Sequence, residues 1–212
     1  DGNVSVVVEA VFKGGNSSVR TRYIINKLTE DLEVICDVYW NEKSKALKLL
    51  IPTTLKGRYI GEVPYGQDKL FANGAETVSQ KWSAIDDGEN VFAIINDCIY
   101  GSSYRSGTIM PTLLRSPAYA AHPIKERPIL EEDRFTERAD QGHSQFRFKI
   151  CSGKREKVLP YLSTMALVFN EKPYALNLFP TGEDKGIATK PLLEVSNTRA
   201  TMSAFFKSEE GY

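Results

Sequence analysis

The chain has 212 residues, of which 42% are hydrophobic and 10% aromatic, and 27 Lys and Arg are balanced by 27 Asp and Glu. This length is enough for one large or two small hydrophobic cores, and a balanced charge provides no positive field to hold a nucleic acid or an anionic membrane surface. No apolar run reaches the roughly 20 residues of a membrane-spanning helix, so we expect a globular protein with neither nucleic acid nor membrane as a partner.

Alternation of apolar and polar residues with a period of two runs through most of the chain. Within 32–40 the apolar side chains fall on one face, because successive residues of a strand point to opposite sides. Similar segments lie at 3–12, 18–26, 46–51, 90–95, 107–114, 144–151 and 200–207. Turn-forming residues separate them, for example at 14–16 and 73–74. The pattern predicts an all-β fold, a large antiparallel sandwich.

Two segments depart from this pattern. Between 157 and 170 apolar residues recur at steps of three and four, with Pro160 near the start, which predicts one short helical segment near 158–169. The stretch 118–140 contains prolines and an acidic run and is expected to be a long exposed connection.

The three cysteines, Cys36, Cys98 and Cys151, form no CxxC pair and no Cys/His cluster. Cys36 and Cys98 fall within apolar strand patterns, where a thiol behaves as a small buried hydrophobe. We therefore expect three reduced structural thiols and a cytoplasmic protein.

The residues themselves indicate no independent catalytic centre. The adjacent acids at 86–87, 131–133 and 209–210 are expected to be solvated, because neighbours on a strand point to opposite faces and cannot flank one glycosidic bond. His122 and His143 lack a nearby second histidine for a zinc site. Trp40 and Trp82 are expected in the core, although either ring could stack on a sugar.

Several motifs in a fixed order carry a resemblance to a known family. Lys81-Trp82 is followed by Asn96-Asp97-Cys98-Ile99-Tyr100-Gly101 and then by Leu114-Arg115-Ser116-Pro117. Segments 38–49, 140–148 and 203–211 extend the same pattern. Together they resemble the C-terminal β-domain of family 38 α-mannosidases over almost the whole chain.

The resemblance implies a many-stranded supersandwich of the galactose-mutarotase kind, a single domain over 1–212, and a parent chain that continues beyond both ends. It also implies that the aspartate nucleophile and zinc or another divalent metal belong to a separate N-terminal catalytic domain, on which this chain packs. The chain then helps to close the sugar pocket and is inactive alone, and an oligomer is possible.

Four substrate-binding residues follow from the same resemblance. Arg115 corresponds to an arginine that reaches toward the substrate, and a guanidinium offers a rigid fork of donors to sugar hydroxyls. Asn96, Asp97 and Tyr100 are the other candidates. From the residues alone, an exposed or interdomain salt bridge remains open for Arg115, and an Asx turn, with Tyr100 packed on it, for Asn96 and Asp97.

The function implied is hydrolysis of terminal α-linked mannose with retention, performed by the parent chain. The first alternative is a non-catalytic carbohydrate-binding or domain-packing module. A further alternative is an epimerase-like sandwich enzyme that acts through His143 and a glutamate.

Overall fold

The computed structural model describes residues 2–118, 137–171, 174, 193–197 and 202. The chain divides into two compact units, 1–171 and 172–212. In the second unit, the described residues have no regular secondary structure. The single domain expected over 1–212 stays a prediction. The expected strand at 200–207, the motif at 203–211, His122 and the acids at 131–133 and 209–210 lie outside the described residues.

The first unit is built from two antiparallel sheets. The larger sheet has eight strands, in the spatial order β1 (Ser5–Gly14), β2 (Ser17–Asn26), β3 (Leu32–Trp40), β13 (Gly142–Lys154), β10 (Asn90–Asn96), β9 (Trp82–Asp86), β6 (Arg58–Val63) and β7 (Gly66–Lys69). The smaller sheet has the order β4 (Ala46–Lys48), β12 (Thr108–Arg115), β11 (Gly101–Arg105) and β8 (Glu76–Val78), with β5 (Ile51–Pro52) paired to β12. The prediction of an all-β antiparallel fold is therefore confirmed.

The main core lies between the two sheets. Val34, Cys36, Val38 and Trp40 of β3 are buried, as the alternation predicts. They form one cluster with residues of the smaller sheet, such as Ile109. The strand pattern in the sequence thus identified the inner face correctly.

A helical segment covers part of the outer face of the larger sheet. It consists of α1 (Arg155–Val158), a 3-10 turn (Leu159–Tyr161) and α2 (Leu162–Asn170), which confirms the predicted helix. Leu162 and Ala166 are fully buried in a second cluster with Trp82 and residues of β9 and β10. The indole N–H of Trp82 donates to Ser163 Oγ at 3.1 Å. Among the described residues no helix is long and apolar enough to cross a membrane.

Two expectations about individual side chains are wrong. Cys98 is exposed, because β10 ends at Asn96 and Cys98 lies in the bend that follows. Cys36 and Cys151 are buried, and none of the three cysteines forms a disulfide. Cys98 is exposed because the strand ends two residues before it and the chain bends at Asp97 and Cys98.

Asp86 is the other exception, because its side chain is 1% exposed and not solvated. Its carboxylate accepts from Arg58 at 3.0 Å, from Arg155 Nε at 3.1 Å and from the Gly88 N–H at 2.9 Å. Burial alone raises the pKa of Asp86, but the Gly88 amide and the two guanidinium groups outweigh it and hold this pKa below its ordinary value. Asp87 is exposed, as expected.

Candidate functional site

One end of the sandwich holds Arg115, the first of the four residues predicted to bind substrate. We call it the Arg115 end and define it as residues 41–45, 115–118 and 137–141, which are joined by hydrogen bonds. Trp40 at the end of β3 pairs with Gly142 at the start of β13, and Asn96 at the end of β10 pairs with Phe148. The Ser116 N–H donates to the carbonyl of Lys45 at 2.9 Å. The ends of β3 and β12 and the start of β13 therefore meet here, whereas the end of β10 lies six residues further along β13.

Arg115 is the last residue of β12 and its side chain is exposed. Its backbone N–H donates to Asp140 Oδ2 at 3.0 Å. The hydroxyl of Ser116, the next residue, donates to the carbonyl of Lys45 at 3.1 Å. Within the described part of the chain, the guanidinium of Arg115 makes no ion pair. The backbone is thus fixed while the charged group stays available.

A register shift in β12 precedes Arg115. Thr112 pairs with Lys48 and Leu114 with Leu47, so Leu113 is an extra residue on this strand. Both Leu113 and Leu114 are buried as a result. Irregularities of this kind redirect the side chains that follow, and they are frequent beside functional sites. In the sequence, the irregularity shows as two consecutive leucines at 113–114, which break the alternation of apolar and polar residues.

Two residues at this end adopt left-handed backbone conformations without being glycine. Asp140 has φ +52° and Ser44 has φ +51°. Asp140 accepts the N–H of Arg115, and Ser44 Oγ accepts from Arg138 at 3.0 Å. Such conformations persist only where surrounding contacts hold them, and they are concentrated at functional sites. The sequence analysis placed Asp140 in the motif 140–148 and Ser44 in 38–49 but assigned neither residue a role.

Asn96 is buried, and its amide bonds both to the loop that follows and to Gln80 ahead of β9. Its Nδ2 donates to the carbonyl of Gln80 at 3.1 Å, and its Oδ1 accepts from the N–H of Ile99 at 2.8 Å. This is the turn that the sequence offered as the alternative to sugar binding. Asn96 therefore shapes the loop that leads to Tyr100.

Asp97 and Tyr100 differ from Asn96 in their exposure. Asp97 is half-buried, and its Oδ1 accepts from the Arg147 N–H at 3.2 Å and from Cys98 Sγ at 3.3 Å. The Tyr100 side chain is 54% exposed, while its carbonyl accepts from the N–H of Ser79 at 3.0 Å. Tyr100 immediately precedes β11, so this exposed ring lies where the loop 96–100 enters the smaller sheet.

Trp40, which precedes the Arg115 end, has a buried polar atom. Its indole N–H is buried without a hydrogen-bond partner among the described residues. Buried donors are nearly always satisfied in folded proteins. The alternation in β3 identified Trp40 as a core residue, and nothing in the sequence indicated the unpaired donor.

The described residues offer no obvious metal centre and no acid–base dyad around His143. They contain no cluster of three or more His, Cys, Asp or Glu side chains that could hold a metal ion. His143 lies at the start of β13 with its ring 4.9 Å from that of Tyr39. Where the structure describes side chains, no carboxylate is paired with His143. Within the described residues, the epimerase alternative therefore finds no carboxylate paired with His143.

Comparison with known proteins identifies the family. Alpha-mannosidase G of Dictyostelium discoideum is 30% identical over 113 residues, which cover 49% of this chain and 10% of that protein. A glycosyl hydrolase family 38 protein from Enterococcus faecalis has a similar fold, with a TM-score of 0.59, 16% identity, and coverage of 71% of this chain and 18% of that one. An α-mannosidase from Enterococcus faecalis V583 gives a TM-score of 0.57, with 15% identity and coverage of 71% and 17%.

The chain thus spans about a tenth of the curated relative's length and less than a fifth of each solved chain. Residues 1–123 match the family described as the glycosyl hydrolases family 38 C-terminal domain. This chain belongs to that family.

Proposed function

We propose that this chain is the C-terminal β-domain of a retaining α-mannosidase that removes terminal α-linked mannose. In this proposal the Arg115 end faces a sugar pocket shared with a catalytic domain outside residues 1–212. The observation that carries the proposal is Arg115 itself. Its backbone is held by Asp140, while its exposed guanidinium has no ion pair among the described residues.

The chemistry assigned to Arg115 and to the loop 96–100 is orientation of the sugar. A guanidinium presents several N–H donors in one plane and suits paired hydroxyls better than it suits proton transfer. The exposed phenol ring of Tyr100 adds an apolar surface for a sugar ring. Asp97 has a second carboxylate oxygen for a sugar hydroxyl, whereas Asn96 acts through the loop because its amide is already bonded.

Bond cleavage and metal binding are assigned to the catalytic domain. Zinc or another divalent metal requires three or four protein ligands, and the described residues hold no such set. Incubated with an aryl α-mannoside and added zinc, the chain alone should show no turnover above a heat-treated control. We further propose a cytoplasmic setting, supported by three unbridged cysteines.

A longer protein that contains these residues and its catalytic domain gives the direct test. Arg115→Ala should lower kcat/KM on an aryl α-mannoside by about 10- to 100-fold, as expected for loss of a charge-assisted hydrogen bond to substrate. Arg105→Ala, at the exposed far end of β11, is the matched control and should leave kcat/KM unchanged. Equal kinetics for the two variants would contradict the role of Arg115.

The non-catalytic alternative predicts a different result. A carbohydrate-binding module should show saturable binding of mannose or mannobiose in calorimetric titrations of the chain alone. If the chain binds sugar in this way and Arg115→Ala leaves a longer protein fully active, the pocket-forming role is wrong and the binding module is supported.

A further inference from the structure

Strand β1 forms an open edge of the larger sheet. It is ten residues long and, among the described residues, pairs only with β2. The pair Gly14 and Ser17 flanks a two-residue turn, so Gly14 and the other even-numbered residues of β1 bond to β2. The N–H and C=O groups of Val7, Glu9, Val11 and Lys13 therefore point to the free edge, where they can pair with another strand.

The side chains along this edge are apolar and exposed. Val8 and Phe12 are each 57% exposed and Val11 is 55% exposed. Val8 and Phe12 lie on the same face as Val19 of β2, which packs against the main core. Exposed apolar residues in continuity with a core indicate a surface that another strand completes.

We propose that this chain forms a two-fold dimer in which β1 pairs antiparallel with β1 of a second copy, centred on Val11. This arrangement joins the two larger sheets into one. It places Val11 opposite the partner's Val11 and Phe12 opposite the partner's Ala10. The inference is independent of the proposed function, because it uses neither Arg115 nor a sugar.

Charge complementarity selects this occupant and this register. Glu9 and Lys13 are the only charged residues of β1, and both have backbone groups that point to the free edge. Centring the pair on Val11 sets each Glu9 opposite the partner's Lys13, which forms two ion pairs across the strands. Centring it on Glu9 would instead oppose two carboxylates. The strand is therefore complementary to itself in one register.

Sedimentation equilibrium of the whole chain from about 1 to 100 µM tests the proposal, because a dimer of useful affinity is populated in this range. The wild-type chain should be a dimer at the upper end. Lys13→Glu should raise the dimer Kd by about 10-fold or more, because two attractive pairs become repulsive. Glu9 also forms an ion pair with Arg20 of β2 at 3.8 Å. The triple change Glu9→Lys, Lys13→Glu and Arg20→Glu should therefore return the Kd to near the wild-type value, since it reverses both intermolecular pairs and this intrachain pair together.

A backbone variant gives a second measurement. Val11→Pro removes an N–H that faces the free edge and leaves the bonds between β1 and β2 intact, so it should abolish the dimer while the thermal midpoint changes little. Glu156→Lys in α1, far from β1 in the fold, is the charge control and should not alter the Kd.

Three results would overturn the proposal. The first is a wild-type chain that is still monomeric at about 100 µM. The second is a dimer that resists both Lys13→Glu and Val11→Pro. The third is a dimer that the triple charge exchange weakens as much as Lys13→Glu does, which would refute the pairing of Glu9 with Lys13.

Discussion

Asp86 links three elements of the fold, and replacing it gives a quantitative test of the structure. The residue ends β9, accepts from Arg58 of β6 and Arg155 of α1, and caps the turn at Gly88. Asp86→Asn keeps the shape of the side chain and removes its charge. We expect the two arginine contacts to weaken together, because a neutral amide is a poorer acceptor and its NH₂ group faces donors.

The size of the effect follows from the burial of each group. Breaking a fully buried ion pair costs about 3–5 kcal/mol, because the remaining charge stays in the interior. Here Arg58 and Arg155 are 64% and 42% exposed and can be hydrated after the change. We therefore expect a loss of about 2–3 kcal/mol, near the value for hydrogen bonds to charged groups. This corresponds to a fall of about 4–12 °C in the thermal midpoint.

The stabilisation lost in Asp86→Asn should depend on pH in a definite direction. The folded pKa of Asp86 lies below its ordinary value of 3.8, so the ionised carboxylate stabilises the fold above that value and the contribution is lost as pH falls through the folded pKa. The difference in unfolding free energy between wild type and Asp86→Asn should be full at pH 7 and shrink below about pH 4.

Urea unfolding followed by tryptophan fluorescence measures this difference at each pH. Asp68→Asn, on the exposed strand β7, is the control and should match wild type at pH 7. A pH-independent difference, or a change at Asp86 no larger than at Asp68, would refute the reasoning.

Two further predictions concern groups that are buried with their hydrogen bonds satisfied. Asn96→Ala should cost about 2–4 kcal/mol, since it leaves the Gln80 carbonyl and the Ile99 N–H unpaired; urea unfolding checks this, and a loss below that of an exposed substitution such as Asp68→Asn would contradict it. Trp82→Phe should increase hydrogen exchange in 162–170, since the ring no longer donates to Ser163. Trp40→Phe is the comparison, because the Trp40 indole N–H has no partner among the described residues, and equal exchange in 162–170 would contradict the assigned contact.

Sequence reasoning was most successful where one face of an element is buried. The alternation in β3 and β13 and the steps of three and four in α2 match the structure, because burial on one side imposes the period of the element. It failed to mark β7, whose sequence Gly66–Lys69 is polar and exposed at every residue. Such a strand forms because β6 provides backbone hydrogen-bond partners for it. The local sequence of β7 does not indicate this pairing.

For the candidate site, the sequence identified the residues, and the structure showed their exposure and hydrogen bonds. The order of the motifs indicated Asn96, Asp97, Tyr100 and Arg115 as a group, and their role in substrate binding stays a prediction. Only the tertiary structure separated Asn96, whose amide is bonded on both sides, from the exposed Arg115. The reason is that hydrogen-bond partners such as Gln80 lie far away in sequence.

The sequence by itself determined the fold class, the helical interruption and the family, because periodicity and ordered motifs are local properties of the chain. The tertiary structure alone decided that Asp86 is buried, that Cys98 is exposed and that β1 forms an open edge. Each of these depends on which distant segment packs against the residue. Burial and pairing are relations between segments, and a single strand's composition does not specify its neighbours.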